Sequence, residues 1–326
     1  MSRSGAAVVL LAGVLGGPAA WPQAAAPSAT GVNVSAVRHA MNELHPLATF
    51  NVGGDPDWMA VTPDAVWVTT SSKNRVFRLD AVTNRVSGSA AVAKPCSGLA
   101  VGFGSLWVPS CGDHDLVRVD LRTRRVIARI DTGPADSEGG IATGAGSVWM
   151  VTSRDGVLVR IDPVMNRVVA RIAIPSESYA AAYERGSVWI TSAGHDLLAR
   201  VDAKTNKLVS TTKVGKAPRF LTVGAGSVWT LNQGDGTISR MDARSGKLMA
   251  TIDAGLAGHG GEIAYGEGAV WATLNGLPIT KIDPATNRVV GQWAGKGGDS
   301  IRAGLGSVWL TSYDAGLVWR LDPSLR

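Results

Sequence analysis

Apolar residues in this chain fall in short runs, each closed by Gly, Asn, Asp, Ser or Pro. One stretch shows the pattern well. Gly140-Ile-Ala-Thr143 is followed by the turn Gly144–Ser147, and Val148–Thr152 by the turn Ser153–Gly156. Val157–Ile161 then precedes Asp162–Asn166, and Arg167–Ile172 ends the unit. Runs rich in Val, Ile and Trp, bounded by turn residues at this spacing, predict short β-strands joined by tight connections. No 3.6-residue period persists through these segments, so they are not expected to be helices.

The four-strand pattern repeats seven times. Trp67, Trp107, Trp149, Trp189, Trp229, Trp271 and Trp309 stand 38 to 42 residues apart, mostly inside Gly-x-Gly-Ser-Val-Trp or a close variant. Twelve or thirteen residues after each comes an aspartate: Asp80, Asp120, Asp162, Asp202, Asp242, Asp283 and Asp322. Two residues before each aspartate is a base: Arg78, Arg118, Arg160, Arg200, Arg240, Lys281 and Arg320. Four strands in about 40 residues is the unit of a propeller. The expected fold is therefore all-β: a seven-bladed β-propeller of four-stranded antiparallel blades over residues 47–326. The last unit stops after its third strand, whereas an orphan strand, Leu47–Val52, precedes the first. The N-terminal strand is expected to complete the last blade and close the ring, which leaves no open junction.

The N-terminus reads differently. Arg3 precedes the apolar stretch Ala6–Gly17, and Ala24-x-Ala26 fits a signal-peptidase site, so residues 1–26 are read as a signal peptide. The apolar stretch is too short for a bilayer core, and no membrane span is expected in the mature chain. Residues 27–46 form a linker, in which Val37, Met41 and Leu44 would share one face of a short helix over Ser35–Leu44. A periplasmic or secreted protein follows.

Composition sharpens this picture. Of eleven Trp, seven hold the repeat position, Trp21 lies in the leader, and Trp293 and Trp319 fall on strands, leaving Trp58 as the unusual one. The net charge of +6 comes largely from bases at repeat positions, without a Lys/Arg cluster or an aromatic stripe, so nucleic acid is not an expected partner. The two cysteines, Cys96 and Cys111, are placed symmetrically about the turn Gly102–Ser105. Residues so opposed approach disulfide distance, and an oxidising compartment would bridge them.

Candidate chemistry lies where the repeat is broken. Nine and seven residues before each repeat Trp the background is Gly, Ala, Ser or Thr, and large or charged residues stand out against it. Those positions and their immediate neighbours supply Trp58, Tyr179, Arg219, Phe220, Glu262, Asp299 and Arg302, with His259 just upstream of Glu262. Aromatic walls with a few convergent charges suit a small-molecule pocket, although the same residues could plug the channel. The expected partner is a small molecule or a protein at the channel mouth, and a monomer is expected. No Gly-x-Ser-x-Gly, His-Glu-x-x-His or phosphate-loop motif is present. The acidic pairs Asp55/Asp57 and Asp113/Asp115 read as solvated turns, and no cofactor is required; Mg²⁺ or Ca²⁺ is the cation such pairs could take.

The units Gly146-Ser-Val-Trp-Met-Val-Thr152 and Arg160-Ile-Asp-Pro-Val-Met-Asn-Arg-Val-Val169 resemble the YVTN-type seven-bladed propellers, a superfamily that includes the streptogramin B lyases. The resemblance covers about 280 residues. It implies the fold, and it raises a metal-assisted lyase or lactonase acting on a cyclic ester, because those lyases use magnesium and a Glu-x-His element to open a cyclic depsipeptide. The chain departs from that pattern: its one Glu-x-His is Glu43-Leu44-His45, ahead of the propeller. An enzyme of this kind would have to use His259 and Glu262 as catalytic groups, with Glu262 and Asp299 on a metal. The reading favoured is a binding module.

Overall fold

The computed structural model describes residue 1 and residues 37–132 and 140–325. Apart from Met1, the expected leader lies outside the described residues, as does the linker before residue 37.

Seven antiparallel sheets make the ring. Blade one comprises Pro56–Thr62, Ala65–Thr70, Arg75–Asp80 and Arg85–Ala91. Blades two to six span residues 100–131, 141–173, 178–213, 218–253 and 263–294 in the same order. Blade seven has three strands of its own, Ile301–Gly304, Ser307–Ser312 and Leu317–Leu321. Its fourth is Ala48–Asn51, antiparallel to Leu317–Leu321 with Phe50 opposite Val318, so the ring closes as the sequence predicted. The first strands of the blades touch one another all the way round, from blade seven back to blade one.

The repeat residues hold neighbouring blades together. All seven repeat tryptophans are at most 1 % exposed. Each lies directly across the ladder from its repeat base, as Trp149 does from Arg160. In six blades the cation stands over the indole, at 4.6 Å for Arg240 on Trp229 and 5.5 Å for Arg320 on Trp309. The guanidinium then crosses to the next blade. Arg160 donates to the Ala203 carbonyl and Asn206 Oδ1, and Arg240 donates to the Pro284 carbonyl and Asn287 Oδ1. Arg320 of blade seven bonds Ala81 and Asn84 of blade one, carrying the belt across the closure. Blade packing is close enough to require glycine: a Cβ on Gly144 would meet the Tyr183 ring at 2.1 Å. In five blades the indole N–H donates to the carbonyl of that glycine position, as Trp149 does to Gly144 at 3.0 Å. Thr62 and Glu184 replace the glycine in blades one and four, and there the Trp67 and Trp189 Nε1 atoms have no acceptor.

The repeat aspartates open the turns between third and fourth strands. Asp202 accepts from the Thr205 and Lys204 amides and from the Thr205 hydroxyl. Such bonds hold all seven carboxyls below their ordinary value.

The short helix allowed over Ser35–Leu44 does not form in its described part. Arg38–Ala40 instead adds a fifth strand to blade six, parallel to Arg288–Ala294, and Met41–Glu43 makes one 3-10 turn. The exposed edge of blade six offers the backbone hydrogen bonds that a short isolated helix could not sustain, and His39 stacks on Trp293 at 5.1 Å. Met41 and Leu44 are half-buried and pack, with Trp319, against the core between blades six and seven. Among the described residues no helix is long and apolar enough to cross a membrane.

Candidate functional site

Every first strand presents alternate residues to the centre of the ring, which follows from the two-residue period of a strand. A cavity of about 200 Å³ there is lined by Trp58, Phe220, Glu262 and Arg302, set among small residues such as Gly98, Gly140, Ala182 and Ala264. A second cavity, about 240 Å³, is lined by Trp58, Phe220, Glu262 and Asp299 together with Asp55, Asp57, Lys94, Cys96 and Tyr313. It borders a wider recess of about 770 Å³ between the loops of blades six, seven and one, with Asp57, Gly260, Asp299 and Tyr313 common to both.

Trp58, Phe220 and Glu262 line both of the smaller cavities. Trp58 and Phe220 are 7 % and 5 % exposed, and their rings meet at 5.9 Å, tilted by 57°. The aromatic pair is thus packed at the ring's centre and contributes to the wall of both cavities. Arg219 stacks on Tyr179 at 5.0 Å and lies 5.9 Å from the Phe220 ring.

Glu262 is the most buried charged member of the group. Arg302 grips it with two parallel bonds, both at 2.5 Å, and the Ser300 hydroxyl donates to the same carboxylate. Ser300 and Arg302 flank Ile301, the first residue of blade seven's first strand, and both reach Glu262 of blade six. Thr273 sets the level of the two blades. Its hydroxyl accepts from the Glu262 amide at 2.6 Å and donates to the Asp299 carbonyl at 2.5 Å. Oε2 of Glu262 thus accepts two bonds and Oε1 one, and the Arg302 guanidinium beside them disfavours a second cation there.

Asp299 accepts from the Gly261 amide at 3.1 Å, and Asp55 accepts from the Ser72 amide and hydroxyl. The phenol of Tyr313, an exposed side chain, is pushed up by partial burial and by the charges of Asp55, Asp57, Asp299 and Asp314. Among the described residues no group of three or more His, Cys, Asp or Glu is arranged to hold a metal. The pair Asp113/Asp115 turns to Arg129, at 2.7 and 3.1 Å.

Four of the eight expected residues (Trp58, Phe220, Glu262 and Asp299) line one cavity, and Arg302 joins three of them in the other. Tyr179 and Arg219 line neither. His259 is exposed on a glycine-rich loop and lines none of these three cavities. Asp55 and Asp57, expected as a solvated turn, line the cavity of about 240 Å³, whereas Ser300 and Tyr313 are additions that the sequence pattern does not mark as candidates. Tyr313 carries a readable signal: four residues after the repeat Trp the other blades have Ser71, Cys111, Ser153, Ala193, Gln233 and Asn275, so it is the one aromatic at that position. The disulfide joins Cys96 to Cys111 with Cα atoms 5.8 Å apart, and it anchors the cavity wall at Cys96.

No protein-family model matches the chain, and no curated protein matches it. Solved structures do match. A streptogramin B lyase structure superposes with a TM-score of 0.69 at 18 % identity, covering 83 % of this chain and 94 % of that one. Virginiamycin B lyase from Staphylococcus aureus gives 0.67 at 16 % identity, covering 82 % and 94 %. Hydrazine synthase from Kuenenia stuttgartiensis gives 0.68 at 14 % identity, covering 83 % and 96 %. Proteins named for such different reactions match equally well, so the likeness is one of fold.

Proposed function

We propose that this chain is an exported binding propeller, periplasmic or secreted and monomeric, that takes a small molecule at one mouth of its central channel. The carrying observation is the aromatic pair. Trp58 and Phe220, in ring contact, line a cavity of about 240 Å³ together with Asp55, Asp57, Asp299 and Tyr313. An apolar wall with a few polar groups beside it is the usual composition of a ligand site. Export is supported by the leader pattern in residues 1–26 and by the disulfide, a bond that persists in oxidising compartments.

Support for the lyase or lactonase reading is weaker, because His259 points to solvent and Glu262 is held by Arg302 and Ser300. Thermal-shift screening with a panel of small polar aromatic compounds tests the binding reading. A compound that stabilises the wild type and loses its effect in Asp299→Asn and Tyr313→Phe is the expected result. The reading fails if no compound shifts the wild type, or if a shift survives both substitutions. N-terminal sequencing of the exported protein, expected to begin after Ala26, tests the leader.

A further inference from the structure

We propose that the end of the ring opposite the cavities docks on an anionic lipid surface. In each four-stranded blade the turn between third and fourth strands lies at the end away from the turn between second and third. The cavities are lined at the latter end, by Ser71 and Tyr313 among others. The third-to-fourth turns share one end because the belt ties them together: Arg118 reaches Asn166, Arg160 reaches Asn206, and Arg320 reaches Asn84.

The tips of those turns carry an unusual pair of residue types. Val82 is 89 % exposed and Val164 is 87 % exposed, with Met165 beside it at 49 %. On neighbouring blades the tip residue is a base, Arg122, Lys204 or Arg244, and each is exposed. Further bases follow at the start of the fourth strands, among them Arg125, Arg167 and Lys207. The repeat aspartates and repeat bases cancel in number, and the acids of the first-to-second turns at this end, Asp64, Glu184 and Glu267, are outnumbered by the remaining bases. Aliphatic tips are not needed for the fold, since Val82 and Val164 bury almost nothing. Bases that can meet phosphate headgroups, beside aliphatic tips that can enter the acyl boundary, are the two elements of peripheral membrane attachment. A bilayer is favoured over a rigid acidic protein because hairpin tips project, and a deformable interface accepts projections. Docked this way, the ring would turn its cavity toward the aqueous phase.

The test is co-sedimentation of the full mature chain with vesicles of phosphatidylcholine, with and without phosphatidylglycerol. Binding is expected to the anionic vesicles alone and to fall sharply near about 0.5 M salt, where the Debye length is only a few ångströms. The triple variant Arg122→Glu, Lys204→Glu, Arg244→Glu is expected to weaken binding by roughly a hundredfold or more. Val82→Ser with Val164→Ser, which leaves the charge unchanged, is expected to weaken it several-fold. All five positions are exposed, and circular dichroism checks that each variant folds. If one does not, the wild-type comparison of the two vesicle types decides alone. Equal binding to both vesicle types overturns the proposal, as does binding to neither or full binding by the folded triple variant. Retention on heparin without vesicle binding also overturns it and assigns the surface to a soluble polyanion.

Discussion

At one end of the ring, six blades lay a Lys or Arg over the repeat Trp and pass its charge to the next blade. Around the centre, toward the cavity end, the corresponding first-strand positions run from Gly98 and Gly140 through Ala180 to Phe220 and Trp58. The belt is uniform because each copy answers the same demand, which is to join two blades across the same gap. The centre is not under that demand. Seven first strands leave room near the axis, and the residues that fill it can differ without unzipping the ring. Uniformity therefore marks the joints of this molecule, and departure from the repeat marks the places free to acquire chemistry.

The comparison predicts that the largest single effect lies where the repeat is broken. Arg302→Ala would leave Glu262, 5 % exposed, with a buried charge and only Ser300 to satisfy it. Breaking one side of such a pair costs about 3–5 kcal/mol, read as a lower urea midpoint. Removing both charges in Glu262→Gln with Arg302→Met is expected to recover part of that loss. A cost below about 1 kcal/mol for Arg302→Ala would mean that water already compensates the pair, and the centre would be no more exacting than an exposed turn.

A smaller effect is expected in the belt. Arg118→Ala removes the bonds to Asn166 Oδ1 and the Ser105 hydroxyl and the cation over Trp107, yet leaves no buried charge behind. A loss of about 1.5–3 kcal/mol follows from bonds made by a charged donor. Six blades repeat the arrangement, so Arg160→Ala should cost a similar amount. If the two differ by more than about 1 kcal/mol, the joints are not equivalent and the ring is weaker at particular seams.

Legibility followed the same division. The blades, the closure by Ala48–Asn51 and the Cys96–Cys111 pair could be read because a two-residue strand period and a fixed repeat leave little freedom of register. The same period placed Trp58, Phe220, Glu262 and Arg302 around the centre. It could not place His259. That residue lies among Gly258, Gly260 and Gly261, all with positive φ, and such a loop has no period to extrapolate. Glu262 lines the cavities, and His259, three residues before it, is exposed outside them. Ser300 escaped notice because a small residue looks like background, although its hydroxyl is what completes the hold on Glu262. The pairing of Arg38–Ala40 with blade six depends on a distant sheet edge, which no local pattern encodes.

The gentlest probe of the uniform end is acid. The seven repeat aspartates have their carboxyls held low chiefly by backbone amides and nearby hydroxyls in the same turn. A carboxyl that is lower in the folded chain than in the unfolded one stabilises the fold above its unfolded value, about 3.9, and that contribution is lost as pH falls through the folded value. The melting temperature should therefore be nearly flat above pH 5 and decline below about pH 4. These turns are open to water, so each contributes little and the decline should be gradual. Asp202→Asn, which keeps an acceptor and removes the titration, is expected to lower stability slightly at neutral pH and to shrink the gap from wild type in acid. A gap that stays constant from pH 7 to about pH 3 would show that these carboxyls titrate alike in both states. The belt would then owe its strength to the bases alone, and the aspartates would act only as turn-formers.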